Sequence, residues 1–402
     1  MHILYISSEY PPETGYGGIG TYVKYISEIF ASNGHNVYVI SRSETGTGYK
    51  KIQNGVTIYR IPVLPYALPQ HRAFYLFRKL CYKTIPHTLN RLAWAKSAWL
   101  AYKNVFSSID LDVIEFPECG AEGFYFVRNN LPCFTRLHTP WAMIRKIDNI
   151  KEHILDIYFS MHLEKYTAMN SFRVSSPSKA LAQRLGNEWH LKNISVYPNP
   201  IKTNDFKGKN EKKYWIYTGR VEYLKGVHIL LQAYTRLKEI RTPPPLLLIG
   251  RPFGVLPNKE KYGDYIESLI RVNDLENDVT WIPGVPHHDI PSYLRKSSVA
   301  FFPSLWENFP YACMEAMASG VAVCASDCGG YTEMINDKED GILFETGDIE
   351  SLLLMMKKML DNPELVKKLG TNSTLKTSAK FESKIIYEKA FDFYNYSHRI
   401  KK

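Results

Sequence analysis

SVAFFPSLWENFPYACMEAMASG, residues 298–320, contains a short apolar run, a loop bearing a carboxylate, and a helical pattern with Pro310 near its start. The run SVAFFPS reads as a buried strand. Proline is tolerated in the first turn of a helix and not in its interior. The helix is therefore expected to begin near Asn308 or Phe309, to bury Met314, Met317 and Ala318, and to end at Gly320. Glu307 then stands on the loop and Glu315 about two turns inside the helix. They do not form a pair on one helix face. They flank a helix N-terminus, where backbone N–H groups and the helix dipole favour an anion. Strand, loop and helix in this order put the loop at the carboxyl edge of a parallel sheet, where open α/β sheets bind ligands.

Working outward, YWIYTGR, PPLLLIG, DVTWIPG and VAVCAS are further short apolar runs, separated by helical or turn-rich segments. An earlier series contains HILYIS, a helical pattern from Thr21 to about Ser32, the break Asn33-Gly34, VYVIS, VTIYRI, DVIEF, LPCFTRL and SFRVSSPSKALAQRL. Two successive strand–helix series imply two doubly wound, parallel-sheet α/β (Rossmann-like) domains. That number agrees with a chain of 402 residues, which is long for one hydrophobic core. Residues 197–213 are rich in Pro, Asn and Lys without apolar periodicity and read as the linker. Near the C-terminus, in a helix expected around residues 382–396, Ile386, Ala390 and Phe393 form a stripe that needs a partner surface.

Composition narrows the function classes. Hydrophobic content is 45% and charged content 22%, ordinary for a globular protein. The opening MHILYISSEYPP lacks a basic n-region followed by an apolar run, so no signal peptide is expected. No apolar stretch approaches ~20 residues, so no membrane span is expected either. Six scattered cysteines fit reduced thiols in a cytoplasmic protein. The net charge is +10, and residues 1–200, with 22 Lys/Arg against 14 Asp/Glu, hold +8 of it. That excess is too modest for a nucleic-acid binder, and no recognition module accompanies it.

Other candidate residues stand at the ends of the expected strands. Arg220 and Lys225, in YTGRVEYLKG, could neutralise a diphosphate, Arg through its fork and Lys as a point charge. Gly17, Gly18 and Gly20, in YGGIGTYV, leave room for a ligand at the start of the first helix. His138 follows the strand in TRLHTPW. The DLD at 110–112 imitates an acidic metal motif but directly precedes a strand, and no catalytic metal is expected.

In order along the chain, GGIG, the His138 loop, PNP, GR-x4-KG and E-x7-E followed by AMASG resemble the retaining, nucleotide-sugar-dependent glycosyltransferases of GT-B architecture. That family includes sucrose-phosphate synthases and phosphatidylinositol mannosyltransferases. The resemblance covers nearly the whole chain. It implies an acceptor-side domain over 1–203 and a donor domain over 204–380, facing a central cleft, with 381–402 crossing back to the first domain. It implies that Glu315 binds the ribose hydroxyls and Glu307 the donor-sugar hydroxyls. The N–H groups of Tyr311 and Ala312, within the Asn308–Phe309–Pro310 turn, would face the terminal phosphate. Arg220 and Lys225 would stabilise charge growing on the leaving diphosphate. His138 would reach the sugar, Gly17 and Gly18 would line the diphosphate and acceptor side, and the base would rest near Ile282 and Pro283.

No cofactor and no metal are implied beyond the nucleotide-sugar co-substrate, with UDP-sugar favoured and GDP-mannose next. The acceptor would be a glycan, lipid-linked or small-molecule hydroxyl, in polysaccharide or glycoconjugate biosynthesis. The alternatives are a catalytically silent sugar-nucleotide or polysaccharide-binding subunit, or an epimerase or phosphorylase of the same fold. Two features depart from the family pattern. Pro310 removes one N–H from the anion site, and IGRPFG replaces a more usual acidic, glycine-rich turn. Arg251 in that turn either meets the diphosphate or base or faces solvent, and solvent is favoured.

Residues 71–107 hold seven Lys/Arg, eight aromatics and no Asp or Glu, and Pro86 divides them into two expected helices. In the second, Leu92, Ala95, Trp99, Tyr102 and Phe106 form the stripe expected to pack on the sheet. The remaining basic and aromatic residues suit an anionic membrane surface, which would make the protein peripheral on the inner face of a membrane.

Overall fold

A computed structural model describes every residue except 16, 69–70, 72–73, 148–151, 209–210 and 396–402. Two compact units emerge. The first comprises Met1–Ile144, Lys151–Pro200 and Ser383–Lys402, and the second Arg145–Ile150 and Ile201–Glu382.

The first unit is built on an eight-stranded sheet of β1 (His2–Ile6), β2 (Asn36–Arg42), β3 (Tyr49–Gln53), β4 (Val56–Ile61), β5 (Val113–Pro117), β6 (Cys133–Arg136), β7 (Arg173–Ser176) and β8 (Ser195–Val196). The spatial order is β3-β4-β2-β1-β5-β6-β7-β8, and only β3 among these runs antiparallel, against β4. β3, sequence YKKIQ, lacks the apolar run of its neighbours because it is an edge strand exposed along much of its length, and periodicity does not find it. The DLD motif proves to be strand-entry chemistry. Asp112 accepts a hydrogen bond from the His2 backbone N–H at 2.7 Å, and its own N–H donates to the His2 carbonyl.

Helices α1 (Gly18–Ser32), α2 (Tyr75–Thr84), α3 (Pro86–Val105), α4 (Trp141–Ile147), α5 (Ile154–Met169) and α6 (Lys179–Trp189) connect these strands. Pro86 opens α3 at a position where its missing N–H costs nothing. Ala95, Tyr102 and Phe106 of the expected α3 stripe are buried while Leu92 and Trp99 are only half-buried, and Trp94 and Ala98 widen the buried face. Arg72 and Ala73 of the basic stretch lie outside the described residues.

The second unit has six parallel strands, β9 (Tyr214–Thr218), β10 (Leu246–Ile249), β11 (Val279–Ile282), β12 (Ser297–Phe302), β13 (Ala322–Ser326) and β14 (Ile342–Phe344). Their order is β11-β10-β9-β12-β13-β14. Around them lie α7 (Val227–Lys238), α8 (Tyr262–Val272), α9 (Ile290–Arg295), α10 (Tyr311–Ala318), α11 (Tyr331–Met334), α12 (Ile349–Asp361) and α13 (Pro363–Lys380). The β strands are near-continuous apolar runs because helices cover both faces of the sheet.

The last helix, α14 (Ser383–Asn395), packs in the first unit. Ile386, Ala390, Phe393 and Tyr394 are its buried residues. Its stripe meets α1 and the sheet through Phe30 and Phe134, and Tyr394 Oη donates to the buried Glu115 carboxylate at 2.7 Å. Residue 396 of the expected helix lies outside the described residues. The segment expected to be a linker is packed rather than loose: Tyr197, Ile201 and Phe206 are buried, and Thr203–Phe206 makes a short 3-10 turn. Its residues 209–210 lie outside the described residues. No helix among the described residues is long and apolar enough to cross a membrane.

Candidate active site

In the second unit, β9, β10 and β11 run one way across the sheet from the centre, while β12, β13 and β14 run the other. The strand order therefore reverses between β9 and β12. Loops leaving the carboxyl ends of those two strands diverge and open a crevice, the ligand position of doubly wound sheets. GR-x4-KG leaves β9, and WENFP leaves β12.

The helix after β12 starts later than expected. Pro310 is its N-cap, with φ −74° and ψ 130°, and α10 begins at Tyr311. The extended ψ of Pro310 keeps Asn308 and Phe309 out of the helix. Glu315 consequently sits just over one turn inside α10, not two. Met314, Met317 and Ala318 are buried, and Gly320 follows the C-cap at φ +72°. Ala312 and Cys313, in the first turn of α10, have no acceptor within the helix itself for their N–H groups. The side chains of Asn308, Phe309 and Tyr311 are buried, and Phe309 meets Phe381 edge to face at 5.3 Å. This turn can therefore offer a ligand its backbone more readily than its side chains.

Glu307 and Lys225 are brought together as an ion pair through Oε1 and Nζ, with side-chain exposures of 13% and 17%. Three backbone contacts hold them. The Leu305 N–H donates to the Leu224 carbonyl at 2.8 Å, joining the two loops. Gly226 adopts φ +66°, and a Cβ there would lie 2.0 Å from the Pro303 carbonyl oxygen. Beyond β13, the Gly330 N–H donates to the Glu307 carbonyl at 2.9 Å, and a Cβ on Gly330 would lie 1.5 Å from the Asn308 oxygen. Glu307 is thus fixed from both neighbouring strands. Arg220 is half-exposed, paired at 3.0 Å with the buried Glu222 and lying over the Phe253 ring.

Glu315 is paired as well. His287 Nε2 lies 2.8 Å from Glu315 Oε1, with the carboxylate nearly buried. Ile282, half-buried, ends β11, and the exposed Pro283 follows it. Arg251 is exposed, and its side chain passes within 3.2 Å of where a Gly284 Cβ would stand. The thiols nearby are not nucleophiles: burial, with the Glu307 charge adding to it, raises Cys313 strongly and Cys328 to about 11.

The first unit repeats the topology. Apart from β3, its strands reverse order between β1 and β5. Glu9 and the glycine turn leave β1, Glu118 leaves β5, and His138 follows β6. Gly17 is the N-cap of α1, and a Cβ there would come within 2.5 Å of Glu9 Oε2. Around Gly18 there is open space. The N-terminus of α1 therefore already faces a carboxylate of this chain, since the Gly20 N–H also points to Glu9 Oε2 at 3.4 Å. The His138 N–H donates to Glu118 Oε2 at 2.7 Å, and the ring meets Tyr22 edge-on. Burial and then the Arg136 charge pull the His138 imidazole down to about 3, so it is neutral at physiological pH. Burial and the neighbouring Glu164 push Glu118 up to about 8.

The model of the family "Glycosyl transferases group 1" matches residues 200–376, and that of "Glycosyltransferase Family 4" matches residues 16–205. The chain belongs to the GT-B glycosyltransferases. Among its relatives, MMP alpha-(1->4)-mannosyltransferase of Mycolicibacterium hassiacum is 25% identical, over 97% of this chain and 98% of its own. Sucrose-phosphate synthase from Thermosynechococcus elongatus shares the fold at TM-score 0.79, 19% identity and 99% coverage of both chains. Anabaena HepE in complex with UDP-glucose superposes at TM-score 0.73, 16% identity, covering 98% of this chain and 99% of its own.

Sequence reasoning missed three positioning features of this glycosyltransferase. His287 stands 28 residues from Glu315 in an unremarkable PHHD turn. Glu9 looks like any loop carboxylate. Gly329-Gly330 was legible as a glycine pair directly after a strand, a signal of close backbone approach.

Proposed function

We propose that this glycosyltransferase is retaining and metal-independent, and that it moves a hexose-type sugar from a nucleoside diphosphate sugar to a hydroxyl. A UDP-sugar is favoured as donor and GDP-mannose comes next. The acceptor is a glycan, a lipid-linked saccharide or a small molecule in polysaccharide or glycoconjugate synthesis. The observation that carries this reading is the Lys225–Glu307 pair at the strand reversal, beside the N-terminus of α10. An anion seated there takes over Lys225, and the released Glu307 carboxylate becomes an acceptor for sugar hydroxyls. HepE with UDP-glucose and the mannosyltransferase relative support the choice of donors.

The groups divide the work as follows. Glu315, oriented by His287, accepts the ribose hydroxyls, while the backbone near Ile282 and Pro283 receives the base. The N–H groups of Tyr311 and Ala312 and the Lys225 ammonium hold the terminal phosphate. Arg220 swings from Glu222 to stabilise the charge that grows as the bond from the anomeric carbon to the phosphate oxygen breaks. The departing phosphate oxygen takes the proton of the attacking hydroxyl on the same face, and the anomeric configuration is kept. In the first unit, neutral His138 and the Gly17–Gly18 turn are assigned to sugar and acceptor hydroxyls. The basic stretch 71–107 is assigned to an anionic membrane surface near which a lipid-linked acceptor is met.

The test is a thermal-shift panel of UDP, GDP, ADP and their sugars, followed by NMR of the product anomer. A millimolar nucleotide that leaves the melting temperature unchanged, or a product of inverted configuration, refutes the reading.

A further inference from the structure

Helix α2 has no buried residue. Amphipathic helices of globular proteins turn their apolar stripe to the core, and α2 does the reverse. At about 100° per residue, Leu76, Leu80, Phe77 and the N-cap Phe74 share an arc of roughly 160°. All four are exposed, at 76%, 59%, 50% and 45% respectively. Lys79, Lys83 and Arg78 fall outside this arc, with Tyr75 and Tyr82 between them, and residues 71–84 contain no Asp or Glu.

From this pattern we infer that α2 lies in the plane of an anionic bilayer surface, with Leu76, Phe77 and Leu80 dipping into the acyl boundary. This narrows the membrane assignment of the 71–107 stretch to one helix, because α3 spends its stripe on the sheet. The inference rests on the peripheral-membrane part of the proposed function and is independent of the transfer chemistry.

Charge complementarity selects the occupant. A protein partner or a second copy of this chain would need its own acidic rim, whereas anionic headgroups attract a helix of net charge +3 at any point on the surface. Tyrosines beside the apolar arc suit the headgroup level, where a ring can be apolar on one side and wet on the other. A second exposed stripe lies close by on α5, where Ile154, Tyr158, Phe159 and Met169 are exposed on one side of the helix. α3 packs against both α2 and α5, and Asp156 of α5 accepts from the Thr88 N–H at the start of α3.

The full chain is tested by co-sedimentation with vesicles of phosphatidylcholine alone and with phosphatidylglycerol added, at low and high salt. Wild type is expected on the anionic vesicles, with binding reduced by salt. Changing Arg78, Lys79 and Lys83 together to Gln removes roughly 100-fold of the partition coefficient. Leu76→Ser with Leu80→Ser abolishes binding without lowering the melting temperature, since neither side chain is buried. Phe77→Trp reports insertion through a blue shift of its emission on anionic vesicles alone. Three results overturn the inference: no binding, equal binding to both vesicle types, or binding untouched by these variants. Self-association in solution that is lost in the Leu76/Leu80 variant also overturns it, assigning α2 to a second copy of the chain. Nucleotide binding by the same variants is expected to match wild type. If nucleotides fail to bind even wild type, the transferase reading falls while the vesicle result stands.

Discussion

Glu307 and Glu315 should fail in different ways when each is replaced by alanine. Glu315 is held by His287 at 2.8 Å and is nearly buried, and in the proposed site its second oxygen and remaining lone pairs would take the ribose diol. A hydrogen bond to a charged group contributes about 1.5–3 kcal/mol. Two hydroxyls, taken at the low end, give roughly 3 kcal/mol, so Glu315→Ala should weaken nucleoside diphosphate binding on the order of 100-fold. Glu307 behaves oppositely because its partner in the free protein is Lys225. Glu307→Ala releases that ammonium for phosphate, so the diphosphate should bind as well as before or more tightly. Transfer should fall by ~100-fold or more, since the sugar is no longer oriented for attack. Calorimetric titration of UDP and GDP into both variants, beside steady-state transfer, separates the two effects. Equal losses of nucleotide affinity in the two variants would refute the division of roles and would make the pair a single structural unit.

Three further outcomes are expected. His287→Ala should raise the Kd for nucleoside diphosphate by roughly 10-fold with little change in kcat, and His287→Gln, which keeps a donor, should recover part of it; unchanged binding in the alanine variant would remove His287 from the site. Gly226→Ala forces a side chain at φ +66° into the Pro303 carbonyl, so the urea midpoint should fall by the equivalent of about 2–5 kcal/mol, and a loss under 1 kcal/mol would contradict the close loop contact. Stability should also fall as pH rises from 6.5 to 8. Burial raises Glu118 to about 8, and Glu115 and Glu122 to about 7, so the folded state binds protons that the unfolded chain has released. Each such proton contributes up to ~1.4 kcal/mol per pH unit. His138 and His228, depressed to about 3 and about 4, work in the opposite sense as the unfolded imidazoles protonate near 6.5, so the carboxyl effect is clearest in the upper part of the window. Denaturant titrations across the window should slope downward, and Glu118→Gln should flatten the slope.

The parts of the site legible in the sequence are those fixed by neighbours along the chain. Pro310 separates Glu307 from Glu315 because a pyrrolidine ring cannot sit inside a helix, and that constraint needs no tertiary information. Its reach is limited: proline at N1 and proline at the N-cap are both compatible with the pattern, and it is the extended ψ of Pro310 that starts α10 at Tyr311. The pairs that make the site chemically specific join residues far apart in sequence. Lys225 meets Glu307 across 82 positions and His287 meets Glu315 across 28. Neither spacing carries a periodicity. What links them is the order β11-β10-β9-β12-β13-β14, which seats the loop after β9 beside the loop after β12 although β10 and β11 lie between them in the chain. Strand composition alone does not give that order, because every strand of a doubly covered parallel sheet is the same apolar run. The consequence reaches the chemistry. A carboxylate and an ammonium brought together by the strand reversal neutralise one another, and in the proposed reaction each would gain a new partner when a sugar diphosphate enters. Glu307 is thereby kept from facing the anion site unpaired, and its spacing to Glu315 matters less than the cation delivered from the other side of the reversal.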